Sequence, residues 1–251
     1  MPTMNVLALL PTHDFDPTEI AVPWQQLEAA GHVVTVATPN GQVAQVDAIV
    51  LTGKRLGIWA PFLRADANGV AAFERFVVSR AYLAPLSYDN VIPEQFGALL
   101  LPGGHAPGMR TCLGSRGAQE ITASFFDRNA PVGAICHGTV LAARSISKKS
   151  GKSVLYGRKT TSLTAMQEMT AYALTRAWLG DYYRTYPISV EAEVTAVLAD
   201  TRDFTAGPLS LRRDRPDRLD LGFVVRDGNY VSARWPGDAH RFASTFIDIL
   251  K

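Results

Sequence analysis

The sequence predicts a doubly wound α/β fold, in which a mostly parallel sheet is sandwiched by helices. Short apolar runs of the kind that form buried parallel strands recur along its 251 residues. The first two bracket a helix-length segment, and two later ones run straight into turns that carry glycine, cysteine and histidine. Such alternation gathers the loops at the carboxyl ends of a parallel sheet.

Residues 5–10 (NVLALL) form the first run and stop at Pro11. Pro17 and Thr18 open a helical stretch whose Ile20, Val22, Trp24, Leu27 and Ala30 supply an apolar face, and Gly31 is placed to end it. Residues 33–37 (VVTVA) are a second strand, closed by Pro39, Asn40 and Gly41. Residues 98–101 (ALLL) enter the turn Pro102-Gly103-Gly104. After a helix-like segment at 118–127, residues 132–135 (VGAI) run into Cys136-His137-Gly138. Residues 222–225 and 230–233 flank Asp227-Gly228, a hairpin signal, and residues 242–250 close the chain as a helix. Residues 54–93 and 160–220 carry helical patches without the composition of a flexible linker, so one domain over residues 1–251 is expected.

Charge is nearly balanced, 25 Lys+Arg against 23 Asp+Glu, for a formal net charge of +2. That is not the strong basic excess of a protein that coats nucleic acid. With 47% hydrophobic residues the chain can bury a sizeable core. The opening residues lack a basic stretch, and His13, Asp14 and Asp16 follow soon after, so no signal peptide is expected. No apolar run reaches the roughly 18 residues that a membrane span needs. Two cysteines, Cys112 and Cys136, are too few for a disulfide scaffold and fit a reducing compartment. A soluble, cytoplasmic protein is therefore expected.

Cys136 stands where a buried strand breaks into a helix, so its thiol projects at the carboxyl edge of the sheet beside a helix N-terminus. That position favours the nucleophilic thiolate. The layout is that of a nucleophile elbow without the usual Gly-x-Ser-x-Gly sequence. A free cysteine is commonly just a core residue. The adjacent His137 and the strand-to-turn position set Cys136 apart, whereas Cys112, among Arg110, Thr111 and Leu113, has no motif of its own. His137 can serve as general acid or base, and a third group should orient it. The consecutive glycines of Pro102-Gly103-Gly104-His105 expose N–H groups suited to an oxyanion hole. Gly138 leaves room for a substrate to approach.

Taken together, Pro102-Gly103-Gly104-His105, Ala134-Ile135-Cys136-His137-Gly138 and Asp16-Pro17-Thr18-Glu19 resemble the DJ-1/ThiJ/PfpI superfamily over most of the chain. The resemblance implies a flavodoxin-like, class I glutamine amidotransferase-like fold. The long middle segments are similar to the branch of cofactor-independent glyoxalase III enzymes and heat-shock-type chaperones. It implies that Glu19 contacts the nucleophile's sulfur, where a protonated carboxyl hydrogen-bonds the thiolate and shuttles a proton. By its residue type alone, Glu19 is equally a dipole-favourable residue of a first helical turn. The heat-shock branch also implies an acid downstream of the elbow that orients the histidine. Residues 160–169 (TTSLTAMQEM) hold one carboxylate, Glu168, which is the expected triad acid, the alternative being a helix-surface residue.

The expected function is a Cys-His enzyme acting on small reactive carbonyls, of the glyoxalase III type that converts methylglyoxal to lactate, or a related hydrolase. Peptidase, amidase and isocyanide hydratase activities belong to the same superfamily. The alternative from another class is a stress-responsive chaperone or a redox sensor working through oxidation of Cys136. No cofactor and no metal are expected, the substrate is a small molecule, and the resemblance implies a homodimer. Residues 182–187 (YYRTYP) suit anion or carbonyl recognition or an interface, but a structural loop or dimer contact is the expectation. Residues 232–238 (SARWPGD) follow the last strand and either wall the pocket or pack on the final helix. Residues 212–218 (RRDRPDR) alternate in charge and are expected to be an exposed loop. The lysine-containing stretches at 151–153 and 158–160 lack the upstream glycine of a phosphate loop, and no Gly-x-Gly-x-x-Gly follows the first strand.

Overall fold

Apolar runs with no polar face need cover on both sides, and the sheet they build has it. The computed structural model describes residues 3–251. Its strands are β1 (Asn5–Leu9), β2 (His13–Phe15), β3 (Val33–Thr38), β4 (Gln45–Val46), β5 (Leu86–Ser87), β6 (Ala98–Leu101), β7 (Val132–Ile135), β8 (Val224–Asp227) and β9 (Tyr230–Ala233). Seven of them form one sheet in the order β5-β3-β1-β6-β7-β9-β8. Every pairing is parallel except that of β8 with β9. All residues of β6, β7 and β9 are buried, as expected for central strands covered on both faces. This is a mostly parallel, flavodoxin-like α/β sheet flanked by helices. The helix Pro17–Ala29 packs against Ala67–Phe76 and Ala239–Asp248, while Arg116–Asp127 packs against Gly138–Arg144.

Register decides what meets at the carboxyl edge. Leu101 pairs with Ala134, and Ile135 with Ala233. The residues that follow β6, β7 and β9 therefore converge on one spot. The first helix enters from the same edge: Asp16 caps it, its Oδ1 accepting from Thr18 N–H at 2.8 Å and Glu19 N–H at 3.1 Å. Gly31 follows the last turn at φ +86°, the left-handed terminator expected there.

The structure moves some boundaries. The hairpin strand begins at Val224 and runs through Asp227, with Gly228 turning at φ +59°. The closing helix starts at Ala239, because buried Asp214 accepts from His240 and Arg241 N–H at 3.2 and 2.7 Å and caps it. A two-stranded ribbon of β2 and β4 has no counterpart in the sequence expectation. Its strands are too short to show a period. Among the described residues, no helix is long and apolar enough to cross a membrane.

Candidate active site

Cys136 leaves β7 at φ +56°, a conformation costly for a residue with a Cβ and one that persists only where its surroundings impose it. Two contacts do so: its N–H donates to the Ala233 carbonyl at 3.0 Å, and its own carbonyl accepts from the Thr139 hydroxyl at 2.6 Å. The residue is 3% exposed. Gly138 is fixed by packing. A Cβ there would lie 1.9 Å from the Leu101 carbonyl oxygen, so the expected opening for substrate at Gly138 is instead filled by the backbone following β6.

The His137 imidazole lies beside the thiol, Nδ1 at 3.4 Å from Cys136 Sγ. Its other nitrogen, Nε2, is 3.0 Å from the Thr185 hydroxyl. That hydroxyl donates to the His105 carbonyl, so it has only a lone pair to offer the imidazole. Nε2 therefore carries the proton, and Nδ1 presents its lone pair to the S–H. Burial pushes the His137 pKa down to about 3, with His105 and Arg144 adding to the effect. The ring is a neutral base. Glu168 does not orient it: its Oε2 accepts from Val190 N–H at 2.9 Å, at the start of the helix Val190–Thr195. The third member is thus a threonine, held in a loop 48 positions beyond the histidine.

Glu19 is also near the sulfur and is fully buried. Its Oε2 accepts from Gly103 N–H at 2.8 Å. Its Oε1 makes no hydrogen bond within the described chain, and the carboxyl lies near enough to the Cys136 thiol to interact with it. Burial, reinforced by Asp16, raises Glu19 well above the usual carboxylate range. Burial likewise pushes the Cys136 thiol up, with the neighbouring carboxyls acting in the same direction. The resting pair is consequently thiol and carboxylic acid, where the elbow position alone leads one to expect a thiolate. The short helix that follows, Gly138–Arg144, does not offset full burial.

The Gly pair divides its labour. With its N–H committed to Glu19, Gly103 is a carboxyl-positioning residue, and a Cβ there would lie 2.6 Å from His137 N and 2.8 Å from Glu19 Oε2. Gly104, at φ +150°, has an N–H that makes no hydrogen bond within the described chain. It and the His137 N–H, which faces the Cys136 sulfur, are the donors available to an oxyanion. His105 is stacked on Tyr183 with ring centroids 4.2 Å apart, and desolvation lowers its pKa to about 3.

Cys136 forms part of the floor of a cavity of about 360 Å³. The wall and roof come from the segments that looked irregular in sequence: Phe62 and Leu63 from one, Met166, Leu174, Tyr183, Leu209 and Arg213 from the other. Glu168 lines the same cavity as a wall residue. The 182–187 segment supplies Tyr183 to the cavity and Thr185 to His137, while Tyr182 donates to Asp47 at 2.5 Å. The segment after β9 does both things expected of it. Trp235 lines the cavity, and Arg234 and Asp238 form a buried ion pair at 2.9 Å beside the closing helix. The 212–218 run is largely exposed, but Asp214 is buried and Arg213 half-buried. His13, Asp14, Asp16 and Glu19 do not gather around one point. His13 and Asp14 lie 3.9 Å apart, Asp16 caps a helix and Glu19 faces the thiol.

The chain has counterparts among known proteins. Residues 10–208 match the family described as ThiJ/PfpI family-like. The chain belongs to that family. It is 26% identical over 248 residues to deglycase PfpI of Pyrococcus furiosus, covering 99% of this chain and 100% of the relative. It is 29% identical over 158 residues to protein/nucleic acid deglycase 2 of Escherichia coli, covering 62% of this chain and 70% of that one. Among solved structures, glyoxalase III from Candida albicans shares the fold with a TM-score of 0.68 at 18% identity, over 98% of this chain and 97% of that chain.

Proposed function

We propose that this ThiJ/PfpI-family chain is a cofactor-independent cysteine enzyme acting on small reactive carbonyls, with glyoxalase III-type conversion of methylglyoxal to lactate as the reaction. The observation that carries the reading is the strained Cys136, its sulfur 3.4 Å from the His137 imidazole and near the buried Glu19 carboxyl. The deglycase and glyoxalase III names of the relatives support the same class of substrate.

The residues suffice for a balanced sequence. Sulfur attacks the aldehyde carbon while His137 Nδ1 takes the thiol proton. The new alkoxide faces the Gly104 and His137 N–H groups and takes the Glu19 proton, giving a hemithioacetal. Glu19, now a carboxylate, removes the proton from the former aldehyde carbon as His137 protonates the neighbouring carbonyl oxygen, and an enediol forms. Glu19 then protonates the second carbon while His137 accepts the remaining hydroxyl proton, leaving a thioester on Cys136. Water, deprotonated by Glu19, cleaves it to lactic acid, and His137 returns the thiol proton. No electrons leave or enter.

Lactate release from methylglyoxal without added glutathione, compared between wild type and Cys136→Ala, tests this. Release by wild type and none by the variant is the expected result. An inactive wild type, or an active variant, would overturn the mechanism.

A further inference from the structure

We propose that the cavity prefers an uncharged α-oxoaldehyde carrying a bulky apolar substituent, of which phenylglyoxal is the type, over the smaller methylglyoxal. This deepens the carbonyl reading above and rests on it. The volume of about 360 Å³ falls within the range of roughly 300–1,000 Å³ found for sites that bury drug-sized ligands. The variable part of methylglyoxal is a single methyl group. Away from Cys136 the lining is mostly apolar, with Trp59, Phe62, Leu163, Leu174, Leu209 and Trp235 among Gln167, Glu168, Thr170, Ser210 and Arg213. The rim is apolar too, with Phe62 56%, Met166 60%, Leu209 71% and Leu211 72% exposed. A site for a small hydrophilic dicarbonyl has no use for these groups, whereas a phenyl ring removes them from water.

Polar groups that can meet the reacting end of a ligand lie near Cys136. The Tyr183 hydroxyl, on a side chain only 5% exposed, has no hydrogen-bond partner and lines the same cavity as Cys136. A buried unpaired hydroxyl is costly until something accepts from it. The second carbonyl oxygen of an α-oxoaldehyde bound at Cys136 is such an acceptor. Charge argues for a neutral ligand. Asp16 and Glu168 both line the cavity against one cation, Arg213. That guanidinium donates through Nη2 to the Arg64 carbonyl at 2.9 Å and lies 5.1 Å from the centre of the Trp235 ring, while its buried Nη1 has no partner, which makes an anion the competing ligand to test.

Titration calorimetry on Cys136→Ala with three probes tests the inference apart from turnover: 1-phenyl-1,2-propanedione, 2,3-butanedione and the anion phenylglyoxylate. The phenyl diketone should bind about tenfold or more tighter than either of the others. Ala171→Phe, on the wall helix Ala165–Leu179, should abolish that preference by filling the space for the ring. Butanedione binding as tightly as the phenyl diketone, or phenylglyoxylate binding more tightly, would overturn the proposal. The same holds for a preference that survives Ala171→Phe. If the preference is present but wild type turns over neither phenylglyoxal nor methylglyoxal, the proposed catalysis fails and the cavity's selectivity stands.

Discussion

Around Cys136 the positions of reacting atoms follow from backbone: the left-handed cysteine, the Gly138 contact with Leu101, and the Gly103 N–H on Glu19. Across the cavity the surfaces are side chains hung on inserted segments. Several of them are more than half exposed, and the segments are secured at a few points such as the Arg234 contacts to Asp238 and to the Pro208 carbonyl. The floor tolerates little change because each atom is fixed by several others. The roof has the latitude that lets one scaffold accept different substituents. Chemistry belongs to the floor, selectivity to the roof.

The largest effect should come from the floor. Cys136→Ala is expected to lower turnover about 10³-fold or more, with a smaller loss of stability of about 1–3 kcal/mol on thermal unfolding because His137 Nδ1 loses its only partner. Next comes the anchor of the roof. Arg234→Ala leaves Asp238 buried without its cation, and urea unfolding should show a loss of about 3–5 kcal/mol.

Acidity gives a third comparison. Asp16 ionises near 3.8 in the unfolded chain, and burial raises it to about 6 in the native one. Between those values the native chain holds a proton that the unfolded chain has released, so stability falls as pH rises through that window. Asp16→Asn keeps a capping oxygen and removes this contribution, so unfolding free energies measured from pH 4 to 6 should decline less steeply than in wild type. Smaller still, Thr185→Val should lower kcat by roughly 10–100-fold by freeing the imidazole, with Thr185→Ser restoring it. Glu168→Gln should leave kcat unchanged, since glutamine still accepts from Val190 and neither residue reaches His137.

The same division decides what the sequence reveals. β1, β6 and β7 are legible because they are continuous apolar runs, ended by proline in the first two and by Cys136-His137-Gly138 in the third. Cys136, His137 and the Gly pair are legible because they sit directly at those ends. Thr185 is not, since a threonine in a Tyr/Arg/Pro loop carries no mark, and only tertiary folding brings it across 48 positions to the imidazole. Glu168 attracts notice as the lone carboxylate of its segment, yet its capping of a neighbouring helix is a local contact that looks the same in sequence. The alternating charges of residues 212–218 suggest full exposure, but two helix N–H groups and a cavity wall recruit Asp214 and Arg213. Whether Gly138 opens space or closes it also depends on a strand far away in sequence.

The central claim is that Cys136 bonds covalently to the carbonyl carbon, with Glu19 and His137 moving the protons. Carbon-13 NMR of the protein with methylglyoxal labelled at the aldehyde carbon tests it most directly. A hemithioacetal resonance is expected in Glu19→Gln, where the His137 imidazolium protonates the alkoxide in place of Glu19 but the later proton transfer from carbon stalls, and it should disappear in the Glu19→Gln, Cys136→Ala double variant. A resonance that survives loss of Cys136, or none in either protein, would contradict it.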